Sequence, residues 1–262
     1  MSVPRAEGGA LLTVERGMHV LRAFRSDRVP VTNAELVRRT GLSKATVSRL
    51  TSTLLQLGFL RHVAGGREFE LAAGPLGIGH AYLATSELLQ RANPFLQELA
   101  DRLNVSVALA IGEGLDMLYI GYRASQRVAT LRLGVGSVLP MGTTAIGHAY
   151  LWGLPVAERK RLVAELKPAA GARAAVMEQG MRESFSELEG TGVCGVLGGY
   201  QRDAYGVALP VVVGTQRTVM GLSCGKAGMR PDLAAERKRI APVLKKAALE
   251  FEALLADFEG QA

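Results

Sequence analysis

Only two cysteines, Cys194 and Cys224, occur in 262 residues, so a disulfide framework is not expected. The four histidines, His19, His62, His80 and His148, stand at no metal-ligand spacing with them. No metal site and no cofactor is expected. No apolar run approaches the roughly 20 residues that a bilayer-crossing helix needs, and no membrane partner is expected. Met1 to Ala10 lacks the apolar centre of a secretory signal and reads as a short flexible tail, which makes the cytoplasm the simplest address. Internal repeats and low-complexity tracts are missing as well. So is any carboxylate pair or Cys–His pair of the kind that acid–base or thiol catalysis uses, and no catalytic residue is assigned.

What is present is a globular composition, 48% apolar and 21% charged, in a chain long enough for two domains. The net charge of +7 is unevenly placed. Residues 1–80 hold 11 Lys and Arg against 6 Asp and Glu, whereas residues 81–262 hold 20 against 18. A basic first third is what contact with a polyanion requires. Charge alone suits a ribosomal or membrane-surface segment equally well, so a motif has to accompany it.

Val14, Met18, Leu21 and Phe24 recur at helical spacing, and Pro30 then breaks the chain. Thr32-Asn-Ala-Glu35 has the spacing of a capping box and opens a short helix, Ala34 to Arg39, which Gly41 ends by supplying a left-handed conformation. Ser43 caps a third helix running to about Leu57, with Gly58 as its stop. Phe59–Val63 and Arg67–Leu71 are strand-like runs around Ala64-Gly65-Gly66, a hairpin signal. Three helices and a hairpin outline a winged helix over residues 11–74. Residues 75–104 read as a mostly helical connector, interrupted near Asn93-Pro94 and carrying part of a dimer contact. Residues 105–262 have an α+β texture. Strands are expected at Val105–Ile111, Met117–Tyr122, Ala129–Leu133, Gly206–Val213 and Val219–Cys224. Helices are expected at Thr144–Trp152, Val156–Leu166, about Ala174–Glu189, and Asp232–Phe258. Strands and helices do not alternate strictly, which disfavours a parallel doubly wound sheet.

On a helical wheel Val47, Leu50, Leu54 and Leu57 form an inward stripe. Ala45, Ser48, Arg49 and Ser52 face outward, with Lys44 and Thr46 on the flanks. Short outward side chains let a helix backbone approach base edges. Arg49 is placed for a bidentate contact to guanine, while Ser43, Lys44 and Thr46 suit phosphates near the helix start. Thr32, opening the preceding helix, joins these expected contacts, and His62 and Arg67 on the hairpin reach the neighbouring backbone or minor groove. An ordinary solvated helix face has the same look on this feature alone. The tight Thr40-Gly41-Leu42 turn, the hairpin and the local positive charge favour double-stranded DNA.

The string Leu42-Ser-Lys-Ala-Thr46-Val-Ser-Arg49-Leu, followed by Leu54-Leu-Gln-Leu-Gly58-Phe, resembles the winged-helix signature of the IclR-type transcriptional regulators. The resemblance continues through Leu139-Pro-Met-Gly-Thr-Thr-Ala145-Ile-Gly-His148-Ala, Val207-Ala-Leu-Pro210-Val and Gly221-Leu-Ser-Cys-Gly225, and covers roughly Leu12 to Phe258. It implies a GAF-like effector domain with an antiparallel sheet, a small-molecule effector that is often a carboxylate, a dimer or dimer of dimers, and a palindromic operator. Motif by motif, it puts effector contacts at Leu139, Ala145, Ile146, Val196, Ala204, Gly206, Ser223 and Gly225; simple core lining is the competing view. Independently, Thr143-Thr144 before an apolar helix offers free backbone N–H groups at a positive dipole end, a ready anion site.

Two departures from the family pattern stand out. The segment after Gly192, which usually carries an acidic cluster, reads Val196-Leu-Gly-Gly-Tyr200, and Gly206 replaces a cysteine common four residues before the strand proline. The pocket is therefore expected to be more apolar. It then either takes a larger, more hydrophobic effector such as an aromatic acid, or is vestigial.

Enzyme readings are weaker. Gly221-Leu-Ser223-Cys-Gly225 imitates a nucleophile elbow, but no histidine follows His148 and the next helix starts only near Asp232. Gly221 to Ala227 is one residue short of a phosphate loop, and the glycines from Gly192 to Gly199 do not open a helix after a strand. The leading reading is an effector-responsive regulator. A hydrolase or ligand-binding protein whose winged helix docks another protein is the alternative. Repression or activation, target genes and operator sequence are not encoded legibly.

Overall fold

A computed structural model describes residues 9–24, 30–63, 65–126, 128, 133–228 and 231–259. The chain divides into two compact units between Thr85 and Ser86.

The first unit carries α1 (Gly9–Arg22), β1 (Val31–Thr32), α2 (Asn33–Thr40), α3 (Lys44–Gln56), β2 (Leu60–His62), β3 (Glu68–Leu71) and α4 (Gly74–Thr85). Its sheet runs β1-β3-β2, antiparallel throughout. Val20, Leu36, Val47, Leu54, Leu60 and Phe69 form the core beneath it. Local chemistry sets the helix ends. Thr32 accepts from the Glu35 N–H at the start of α2, and Gly41, at φ 68, closes it. Ser43 accepts from the Thr46 N–H at the start of α3.

One expectation for this unit is corrected, and two features were not read from the sequence. Leu57 is exposed, because α3 stops at Gln56 and Leu57 is its C-cap; Thr51 takes the inward place instead. Val14 and Met18 are exposed too, since α1 turns Gly17 and Val20 toward the core, with Gly17 against Leu50. The two-residue β1 was not expected; Val31 pairs with Phe69.

The second unit carries α5 (Glu87–Leu103), β4 (Ser106–Glu113), β5 (Asp116–Ala124), β6 (Val138–Pro140), α6 (Ala145–Gly153), α7 (Val156–Ala170), α8 (Ala174–Thr191), β7 (Cys194–Leu197), β8 (Ala204–Val213), β9 (Thr218–Ala227) and α9 (Leu233–Leu254). The sheet order is β6-β5-β4-β9-β8-β7, every pairing antiparallel. One face packs against α5 and α9, the other against α6, α7 and α8. Because β4, β8 and β9 are covered on both faces, they read as near-continuous apolar runs. That is why they were legible, while the short edge strands β6 and β7 were not. The strand expected at Ala129–Leu133 falls largely outside the described residues.

The expected break at Asn93-Pro94 is absent. The chain breaks at Ser86, whose side chain caps α5, and Pro94 sits inside the helix. A proline there costs about 3 kcal/mol. Leu88, Leu89, Leu96, Leu99 and Leu103 are buried along the same helix, at roughly 1.5–3 kcal/mol each, so packing outweighs the lost hydrogen bond.

Candidate functional sites

On α3, Ser43, Lys44, Ala45, Ser48, Arg49 and Ser52 are exposed and Thr46 is half-buried, with Val47, Thr51 and Leu54 buried behind them. The hydroxyls of Ser43 and Thr46 lie 2.9 Å apart, and Ser52 donates to the Ser48 carbonyl. His62 and Arg67 are exposed on the hairpin, where the His62 ring packs 5.0 Å from Phe69. Thr32 is half-buried and its hydroxyl oxygen is engaged in the α2 cap.

The cationic side chains from α2 to β3 fall into two groups. Arg38 and Arg39 grip Glu35, and hydrogen bonds from Arg38 first and Arg39 second hold its carboxyl down to about 2. Arg61 pairs with Glu70. Lys44, Arg49 and Arg67 have no carboxylate partner among the described residues.

The second unit holds a cavity with about 530 Å³ of empty space, partly open to solvent. All eight positions singled out from the sequence line it: Leu139 on β6, Ala145 and Ile146 on α6, Val196 on β7, Ala204 and Gly206 on β8, Ser223 and Gly225 on β9. Strand register explains the grouping. Ser106, Gly225, Gly206 and Val196 form one row across the sheet, and Tyr122, Ala108 and Ser223 form the next. Small residues along these rows leave room above the sheet.

The roof is the start of α6. Thr144 caps it, accepting from the Gly147 N–H at 3.3 Å and donating to the Pro140 carbonyl at 2.7 Å. The N–H groups of Ala145 and Ile146 thus lie in the cavity wall without an intrahelical acceptor. Thr143 donates to the Gly199 carbonyl at 2.8 Å, tying this corner to the segment after β7. A Cβ on Gly147 would stand 2.1 Å from the Met141 carbonyl oxygen, so only glycine permits the tight entry into α6. Behind the helix start, the buried His148 ring lies 2.8 Å from the Ser184 hydroxyl and 2.9 Å from the Gly142 carbonyl.

The sequence missed Ser106, Ala108, Tyr119, Tyr122, Leu133, Gly199, Tyr200 and Tyr205, which also line the cavity. The tyrosine pair has a specific cause. Residues three apart on a regular strand point to opposite faces, but the register slips between Leu109 and Ala110 and leaves Ile120 as an extra residue on β5. Ile120 and Gly121 both turn toward α5, so Tyr119 and Tyr122 share the cavity face, rings stacked at 6.2 Å. The Tyr119 hydroxyl is bonded to Ser223, and burial pushes its pKa up. The cavity is lined mainly by apolar surface, as expected. Among the described residues that line it none is acidic, basic or histidine, yet hydroxyls are plentiful.

Ser223 lies inside β9, paired to Ala108 on one side and Ala208 on the other, not at a strand-to-helix turn. The nucleophile-elbow geometry is therefore absent there. Cys194 and Cys224 are free and buried, and burial raises both thiol pKa values, Cys224 to about 12. Such thiols are poor nucleophiles. Among the described residues no helix is long and apolar enough to cross a membrane.

A family model of the IclR helix-turn-helix domain matches residues 13–64, and one of the bacterial transcriptional regulator IclR C-terminal region matches residues 80–253. The chain belongs to the IclR family. It is a DNA-binding transcriptional regulator, a winged helix-turn-helix followed by a GAF-like, effector-binding α+β domain. Over 248 residues it is 28% identical to the HTH-type transcriptional regulator TsaQ1/TsaQ2 of Comamonas testosteroni, covering 94% of this chain and 88% of that one. An IclR family regulator from Brucella abortus superposes with a TM-score of 0.83 at 29% identity, over 96% of this chain and 95% of the other. An IclR homologue from Microbacterium hydrocarbonoxydans, solved with 4-hydroxybenzoate, shares the fold with a TM-score of 0.64 at 20% identity, over 93% and 98%.

Proposed function

We propose that this IclR-type regulator acts in the cytoplasm, without enzymatic activity, by laying α3 in the major groove of a palindromic operator and releasing or tightening it when an aromatic acid enters the cavity. The observation that carries the DNA half is the unpaired charge on a face of short side chains. Arg49 reads a guanine. Ser43, Lys44 and Thr46 meet phosphates, Ala45, Ser48 and Ser52 allow close approach, and Thr32, His62 and Arg67 touch the flanking backbone. The effector's carboxylate sits at the N–H groups of Ala145 and Ile146, with its ring over Gly206 and Gly225 and against Leu139, Val196, Ala204 and Ser223. Among the described residues no cationic side chain lines the cavity, and the helix start supplies the donors that an anion needs.

The working unit is a homodimer, or a pair of dimers. Support comes from α4, which buries none of its residues although Leu76, Ile78, Tyr82 and Leu83 are all exposed. Val14 and Met18 of α1 are exposed as well. Apolar surface of this extent marks a protein contact, and a palindromic site calls for two copies. Selection of duplexes from a randomised pool by the full chain, followed by titration with and without benzoate, tests the reading. A recovered inverted repeat whose affinity shifts with the acid is expected. Binding indifferent to sequence would overturn the operator, and an acid-independent affinity would overturn the gating.

A further inference from the structure

One hydrogen bond around the cavity is unfinished. Ser106 donates to the Gly225 carbonyl, Thr144 to the Pro140 carbonyl, Tyr205 to the Glu236 carboxylate, and Ser223 is joined to Tyr119. The Tyr122 hydroxyl, sealed from solvent, has no partner among the described residues. A buried donor left alone costs stability that a phenylalanine of the same shape would not. The bulge at Ile120 nonetheless places the Tyr122 ring in the cavity wall, stacked on Tyr119.

We propose that Tyr122 determines effector specificity: its O–H donates to a second oxygen on an aromatic acid, a ring hydroxyl remote from the carboxylate. This rests on the reading of the cavity as the effector site. The acid is thus held at two separated points, by backbone N–H groups at the start of α6 and by one phenol on β5. A site that offers a buried hydrogen-bonding group discriminates against ligands lacking the matching atom, because the group then stays unpaired.

The test is calorimetric titration of the full chain and of Tyr122→Phe with benzoate and with its 2-, 3- and 4-hydroxy derivatives. The wild-type chain binds one hydroxy isomer about tenfold or more tighter than benzoate. Tyr122→Phe binds benzoate as the parent does and that isomer no better than benzoate. Without any acid, the variant melts at a higher temperature than the parent, since the orphaned donor is gone. A hydroxyl preference that survives in Tyr122→Phe overturns the inference. So does an equal loss on benzoate and hydroxybenzoates, which would put the carboxylate at Tyr122, or a lower melting temperature of the unliganded variant. Wild-type binding of benzoate with no isomer preferred overturns the role of Tyr122 and leaves the aromatic-acid reading standing. Binding of none of the four overturns both.

Discussion

The α3 face and the cavity handle polarity in opposite ways. On α3, Lys44 and Arg49 are exposed with no carboxylate partner among the described residues, surrounded by short side chains. Among the described residues no charged side chain lines the cavity, and most polar groups there are spent on the protein itself, the Tyr122 hydroxyl and the N–H groups at the start of α6 excepted. The first arrangement suits a polyanion, whose counterions are released into solvent on binding. The second suits a small molecule, whose few polar atoms must match fixed donors in a confined space. Salt should therefore govern one surface and shape the other.

The sharpest way to break that contrast is to deform the cavity frame alone. Gly147→Ala drives a methyl group into the Met141 carbonyl, and is expected to cost about 3 kcal/mol or more. Calorimetry should show a clearly lowered melting temperature, and the effector response should vanish even well below it. A parent-like melting curve would mean that the entry into α6 has room the structure does not show. Next in size is Arg49→Ala, expected to lose about 1–3 kcal/mol of specific binding and to relax preference at one base pair. Competition binding against single-base variants of the selected duplex checks it; unchanged selectivity would move base reading elsewhere on α3. Lys44→Ala is a smaller change, weakening all sequences alike and reducing the slope of log affinity against log salt by about 1. Equal slopes for variant and parent would remove Lys44 from the phosphate contacts.

Much of the α3 face was legible because it depends on local signals. Thr32, Ser43 and Gly41 fix helix ends within a few residues, and the 3.6-residue period separates Val47 and Leu54 from Ser48 and Ser52. The error there, at Leu57, arose where the helix stopped early. The cavity was legible only in part. Ala204 and Gly206, or Ser223 and Gly225, share a face through simple alternation, and the resemblance pointed at them. Tyr119 and Tyr122 could not be paired from sequence, since their meeting depends on a bulge set by pairing with a distant strand. Pro94 shows the same limit from the other side: a strong local breaker lost to leucines whose burial partners lie far along the chain.

Protonation gives the mildest expected difference between the two surfaces, and it falls on the cavity side. His148 is buried behind the start of α6, and a carbonyl can only accept, so Nε2 carries the proton shared with Gly142 while Nδ1 accepts from Ser184. Burial lowers the pKa of this ring, with the Gly142 hydrogen bond opposing it. The neutral form is thus favoured in the folded chain, whereas the unfolded chain titrates near the ordinary value of 6.5. Stability from this group is complete above that value and is lost as pH falls below it toward the lowered folded value. Denaturant titrations at pH 7.5 and pH 5.5, on the order of one unit either side of 6.5, should show the parent losing stability at the lower pH. His148→Asn, lacking a titrating ring, should be less stable at pH 7.5 and lose less on acidification. If the two chains lose stability in parallel, the acid sensitivity belongs to other groups, and the ring behind α6 is not held in its neutral form.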